Sequence, residues 1–234
     1  NFTSTAVTHN VSAFPTRGLV AEYLGSNNTL DTSGNGYNGI GTDITYGTDR
    51  KSSANSCFVL NGTTSTINID AALAGLSTNT LGTFSCWINL PTSSGSTQQT
   101  IAFADTSGNE FIFFQVNSTG KMRLALRDAG VDAFFVDTVD RWIFDSTWYH
   151  IAFVQDGETT PQIYIDGAAV PQTFVTDVDR TKWFNDLTGI DNGRIGAALF
   201  NASPLEQFLA GSIDDIRIYD RDLSAAEILQ LYNE

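Results

Sequence analysis

Asp31, Ser33 and Asn35 offer side-chain oxygens at alternating positions of the stretch DTSGNGYNG, and Tyr37 adds a backbone carbonyl at the next. Oxygen ligands in this rhythm, with Gly36 allowing a sharp bend, are what a hard cation such as Ca2+ requires. The bidentate Glu that closes an EF-hand loop is missing, since the twelfth position is Thr42. A second anionic ligand must therefore arrive from elsewhere. The same stretch fits two further templates. Gly34, Gly36 and Gly39 spell G-x-G-x-x-G, yet that fingerprint needs a helix opening at the glycines to hold a pyrophosphate. The residues that follow, IGTDITYGTDR, are β-branched and Gly-rich and lack helical periodicity, so a dinucleotide site is excluded. Asn35-Gly36 and Asn38-Gly39 are strong turn signals, and an Asx turn at Asp31 can shape the loop with no ligand. On these residues alone, calcium and a bare hydrogen-bonded loop both remain open.

Other reactive groups are scarce. The chain has two His and two Cys, which leaves little from which to build a zinc site or a nucleophile–His triad. His150 shares strand parity with Trp148, Ala152 and Val154 and reads as a satisfied core imidazole; His9 lies in a polar segment with no motif. Cys57 and Cys86 sit in apolar strand patterns and are expected as free buried thiols. Glycoside hydrolysis needs two carboxylates roughly 5–10 Å apart. No E-x-D-x-E run exists, and Asp128/Asp132, Asp137/Asp140 and Asp177/Asp179 resemble solvated turns. Enzymatic activity is not expected. Sugar recognition relies instead on exposed aromatic rings, and Trp142 and Trp183 stand beside polar residues in VDRWIFD and DRTKWFND. They are the candidate ligand-binding residues, with partial burial at a loop base as the competing reading.

The elements that must position these groups are β almost throughout. Short Val/Ile/Phe/Tyr/Trp runs, such as CFVLNG, TFSCWINL, FIFFQV, MRLALRD, QIYIDG and SIDDIRIYD, alternate with Gly/Asn/Asp/Ser clusters about every ten residues. A dozen such strands without helical partners imply an all-β, two-sheet antiparallel sandwich. One helix is specified at the end, DLSAAEILQLYNE, where Ser224 and Glu227 form a capping box and Leu223 and Ile228 a hydrophobic staple. Residues 1–17 read as a linker or peripheral segment, and residues 18–234 as the sandwich domain. With 26 acidic against 12 basic residues the formal charge is −14, which disfavours nucleic acid and anionic lipid. No apolar run reaches the roughly 18 residues of a membrane span. Asn1 in place of Met suggests a processed or excised chain, and N-x-[ST] sequons occur at Asn1, Asn10, Asn27, Asn61, Asn117 and Asn201.

Taken in order, GLVAEYL…DTSGNGYNG, CFVLNG, TFSCWINL, TWYHIAFVQDGETTPQIYIDG and LAGSIDDIRIYDRDLSAAEILQLY resemble the laminin-G-like, concanavalin A-like superfamily from about Gly18 to Tyr232. The resemblance implies a jelly roll, usually noncatalytic, often binding glycan or protein and often carrying calcium. It matches the D-x-S-G-N-G loop to Asp31–Gly36 and the first Asp of G-x-I-D-D to Asp214. A strict period of two in SIDDIRIYD places Asp214 with Ile216 and Ile218, where a carboxylate must be paired or metal-bound. Asp214 is thus the expected distant ligand of a structural Ca2+. Together these readings predict an extracellular, cell-surface or virion-surface module binding carbohydrate or a surface protein. The alternative is a structural module of a fibre, virion or surface layer that mediates self-assembly.

Overall fold

The computed structural model describes residues 14–91, 95–140, 146–158, 161–201 and 204–234. Trp142, His9 and the sequons at Asn1 and Asn10 lie outside them. The described chain runs through β1 (Leu19–Tyr23), β2 (Ile40–Thr42), β3 (Thr45–Gly47), β4 (Cys57–Asn61) and β5 (Thr66–Asn68). It continues with β6 (Gly82–Asn89), β7 (Gln98–Ala104), β8 (Phe111–Val116), β9 (Met122–Asp128) and β10 (Val131–Thr138). Then come β11 (Trp148–Gln155), β12 (Gln162–Ile165), β13 (Ala168–Ala169), β14 (Gln172–Asp177), β15 (Asn192–Ile195), β16 (Ala210–Tyr219) and helix α1 (Ala225–Tyr232).

The strands form two antiparallel eight-stranded sheets. Sheet A has the order β13-β12-β11-β6-β16-β4-β3, with β1 also paired to β16. Sheet B has the order β14-β10-β9-β8-β7-β15-β5-β2. Their inner faces meet in one core in which Phe58, Phe84, Phe103, Phe114, Phe134 and Phe153 are fully buried. The two-sheet sandwich expected from the spacing of apolar runs, and the jelly roll that the resemblance implies, are the observed fold.

Local chemistry fixes the register of the strands that matter below. Ala129 and Gly130, both at positive φ (47° and 81°), make the two-residue connection between β9 and β10. Such a turn suits the right-handed twist of a hairpin and sets Arg127 opposite Asp132. At the β7–β8 end, Asp105 accepts the amides of Asn109 (2.8 Å) and Glu110 (3.3 Å). At the β8–β9 end, Asn117 Oδ1 accepts the amides of Thr119 and Lys121 at 2.9 and 3.2 Å. Asn117 is also buried and donates to Asp137, so its sequon is closed to glycosylation in the folded protein.

Sheet A departs from strict alternation at one place. Between β16 and β6, Asp214 faces Trp87 but Arg217 faces Ser85, so β16 carries one extra residue. The bulge centres on Asp215, at φ 46°. It lies where β16 changes partner, from β4 at Ile213 to β1 at Ile216. The extra residue resets parity: Ile213, Ile216 and Ile218 all enter the core. Asp214, opposite Trp87, takes the outer face. The period-two assignment of Asp214 to the face of Ile216 is corrected by this bulge.

Helix α1 packs on the outer face of sheet A. Leu223, Ile228 and Leu231 join Ala152, Val154 and Tyr219 in a buried cluster, with Phe14 and Leu19 at its margin. The expected capping box is present, with Ser224 N donating to Glu227 Oε2 at 2.9 Å. No helix among the described residues is long and apolar enough to cross a membrane.

Candidate functional site

The Asp31–Gly39 loop runs along the edge of β1 that β16 leaves free. Asp31 Oδ1 accepts the amides of Glu22 (3.0 Å) and Ser33 (2.9 Å), and Oδ2 accepts that of Tyr37 (2.9 Å). Ser33 Oγ donates to the Val20 carbonyl, and Asn35 Nδ2 to those of Leu19 and Val20. The Tyr37 carbonyl accepts the Tyr23 hydroxyl at 2.8 Å. These bonds satisfy backbone groups that an edge strand would leave unpaired. They also hold the Asp31 carboxyl below the usual carboxylate range, against the upward pull of its burial. Gly34 and Gly36, at φ 96° and 79°, make the bends, and β2 rather than a helix follows Gly39.

The fifth expected ligand is elsewhere. Asp214 meets Arg50 Nη1 at 3.4 Å and accepts the amide of Asp215. Arg50 Nη1 also pairs with Asp215 at 2.5 Å. Asp31 and Asp214 share no partner among the described residues. As arranged, the set does not fit a calcium cage: the loop oxygens are engaged by protein donors, and the distant carboxylate is paired to a guanidinium. Among the described residues no group of three or more His, Cys, Asp or Glu side chains is placed to hold a metal ion. Burial first, and the neighbouring Asp215 second, raise the Asp214 carboxyl to about 7.

Three further expectations can be placed. Trp183 is 1% exposed and packs against Phe84, Phe153 and Phe184 in the core, so it cannot stack on a sugar. The polar residues around it in sequence face away while its ring seals the sandwich. His150 is buried, with Nε2 2.9 Å from Ser85 Oγ and Nδ1 unpartnered. Desolvation, helped by Arg217 and Arg50, lowers it to about 3, so it is neutral. Cys57 and Cys86 are free buried thiols.

The strongest recognition surface is one that sequence reading passes over, on the outer face of sheet B. Three rows of side chains cross β7 to β10. Gln99, Gln115, Arg123 and Asp137 are successive cross-strand partners; so are Ala102, Phe113, Ala125 and Phe135; so are Ala104, Phe111, Arg127 and Asp132. Alanines between phenylalanines leave a groove of about 280 Å³, closed at one end by Phe200, Glu206 and Gln207. Phe111 and Phe113 lie parallel at 4.3 Å, and Phe200 meets both edge-on. Arg127 sits 5.0 Å from the Phe111 ring and is held by Asp132 through Nε at 2.6 Å. Arg123 lies 5.5 Å from Phe135, with Asp137 on Nε (2.5 Å) and Nη2 (2.9 Å). Asp132 and Asp137 are thus arginine partners, not solvated turn residues. The available signal is FIFFQV: a strand apolar on both faces of an antiparallel sheet needs something to cover its second face. A larger hollow, about 340 Å³, lies between Phe14–Arg17 and α1.

A two-sheet jelly roll with a helix on one outer face and an aromatic-floored groove on the other defines a lectin-like β-sandwich. The chain belongs to the concanavalin A-like lectin/glucanases superfamily, whose family model matches residues 61–229. No curated protein matches it by sequence. Among solved structures it is similar to the CBM40 of Ruminococcus gnavus IT-sialidase bound to sialyllactose. The identity is 16% and the TM-score 0.62, over 92% of this chain and 100% of that one. It is similar to domain 4 of AbnA, an extracellular GH43 arabinanase from Geobacillus stearothermophilus, in complex with arabinotriose. There the identity is 22% and the TM-score 0.65, over 92% and 98% of the two chains. It also resembles the binding domain of Paraclostridial Mosquitocidal Protein 1 at 21% identity and TM-score 0.65, over 93% of this chain and 52% of that one. At these identities the likeness is one of fold.

Proposed function

We propose that this chain is a noncatalytic glycan-binding module of an extracellular or surface protein, with its ligand in the sheet B groove. The observation that carries the reading is the groove itself, where four phenylalanines and two arginines line a hollow that none of the described residues fills. Aromatic floors with a few polar groups at the rim suit the apolar faces and hydroxyls of sugars. Glu206 is the one carboxylate among the groove's lining residues, which is one short of a hydrolytic pair. The carbohydrate ligands of two of the similar structures point the same way.

The test is a glycan array followed by titration of the strongest hit. Phe135 is half-buried on the groove, so Phe135→Ala should weaken binding by about tenfold or more while the protein stays folded. Unchanged affinity would remove the groove from recognition. The Asp31 loop we read as a hydrogen-bonded clasp for the β1 edge. Thermal unfolding should then give the same midpoint in chelator and in millimolar calcium, because only an ion that binds the native state raises it. A clear rise would restore a metal role to the loop.

A further inference from the structure

We propose that the groove selects a sugar carrying a carboxylate, a specificity that rests on the glycan-binding reading above. Its basis is an excess of hydrogen-bond donors set by a residue no ligand can touch. Gln99 is fully buried beneath the groove. Its single amide nitrogen donates to Gln115 Oε1 and to Gln207 Oε1, both at 2.6 Å. With both carbonyl oxygens engaged, the NH2 groups of Gln115 and Gln207 are turned away from Gln99. Both residues line the groove, and neither NH2 group has a hydrogen-bond partner among the described residues.

The arginines are held in a matching way. Asp132 grips Arg127 at Nε alone, so both terminal nitrogens lack a protein acceptor. Asp137 takes Nε and Nη2 of Arg123, which leaves Nη1. Against these donors the lining offers few acceptors: the Glu206 carboxylate and the Thr97 hydroxyl. Asp132 and Asp137 balance the two arginine charges, so the preference rests on the N–H groups left over and not on a net positive charge. Sugar hydroxyls both donate and accept, and a mixed set of partners serves them. A carboxylate only accepts, and guanidinium and amide N–H groups are its natural complement.

This orientation of Gln99 leaves one buried group unpaired. Its Oε1 is sealed from solvent with no partner, an arrangement that ordinarily destabilises a fold. Turning the three amides over would place carbonyl oxygens in the groove and repel an anion. Gln99 is therefore a positioning residue, acting through Gln115 and Gln207.

The experiment is calorimetric titration with two matched pairs: sialyllactose against lactose, and trigalacturonic acid against its methyl ester. The acidic member of at least one pair should bind about thirtyfold more tightly than its neutral partner, and salt should weaken it. Arg127→Met and Gln99→Leu should each reduce the acid-to-neutral ratio by about fivefold or more, whatever either does to neutral binding. If Gln99→Leu fails to fold, Arg127→Met, at a half-exposed surface position, carries the comparison. Neutral members bound as well as acidic ones overturn the carboxylate proposal and leave the glycan-binding reading standing. Binding of none of the four here, with hits among other neutral glycans on the array, overturns the carboxylate proposal alone. No glycan bound anywhere overturns both.

Discussion

Arg217 on the outer face of sheet A and Arg127 on the outer face of sheet B both lie against phenylalanine rings, at 4.2 Å from Phe14 and 5.0 Å from Phe111. Arg217 is 2% exposed and bonded by Glu22 at 2.7 Å and Glu234 at 2.8 Å. Arg127 is 28% exposed and has Asp132 alone. The difference follows from what covers each sheet. Helix α1 and the segment before β1 cover much of the face of sheet A, and the Arg217 charge buried there is paired with two carboxylates. Over the groove of sheet B the described residues supply only the segment around Phe200, and the arginines there keep nitrogens unused. One fold thus carries a closed face, where polar groups serve stability, and an open one, where they remain available to a ligand.

Removing the cover of sheet A should have the largest effect. Leu231 is fully buried between α1 and sheet A. Leu231→Ala should lower the unfolding free energy by roughly 2–5 kcal/mol in urea titration. Glycan affinity of the folded protein should not change, because the groove lies on the other sheet. A parallel loss of affinity would show that the two faces are coupled.

The covered face of sheet A should also show a pH signature. Asp214, desolvated and beside Asp215, has its carboxyl raised from 3.8 to about 7. A folded-state value above the unfolded one means that the native protein holds the proton more tightly. The corresponding stability is present in full below about pH 4 and is lost as pH rises to about 7. Asp214→Asn removes this dependence. Its melting temperature should match that of the parent near pH 4 and exceed it near pH 8. A difference that stays constant with pH would mean that Arg50 keeps Asp214 ionised throughout.

Sequence reading reaches the closed face more easily than the open one, for physical reasons. The capping box at Ser224 and Glu227, the staple of Leu223 and Ile228 and the run of apolar strands are local patterns, and the fold follows them. Asp214 was misplaced because one bulged residue, Asp215, shifts parity, and no neighbouring residue type announces it. Trp183 was read by its polar sequence neighbours, although tertiary packing decided its burial. The groove is harder still. Its members come from four strands and the segment around Phe200, and each row exists only once the hairpin registers are set. Gln99 looks like any strand glutamine until Gln115 and Gln207 are brought to either side of it.

The smallest effect concerns how firmly the cover is attached. Ser224 and Glu227 close the first turn of α1, and Arg221 holds the Glu227 carboxylate at 2.6 Å. That bond, chiefly, lowers Glu227 to about 2. Ser224→Ala deletes the side-chain cap but leaves the arginine pair and the buried apolar face of the helix. The loss should therefore be about 1 kcal/mol, the usual worth of a cap, and well below that of Leu231→Ala. Because Glu227 has a lowered value, its own contribution is present above about pH 4.5 and fades as pH falls toward 2. The Ser224→Ala deficit should then persist from pH 5 to 8, where Glu227 stays ionised. If the deficit instead approaches that of Leu231→Ala, the cap rather than the apolar contact holds the helix on sheet A. The closed face would then depend on one turn of helix, and its contrast with the open face would be much weaker.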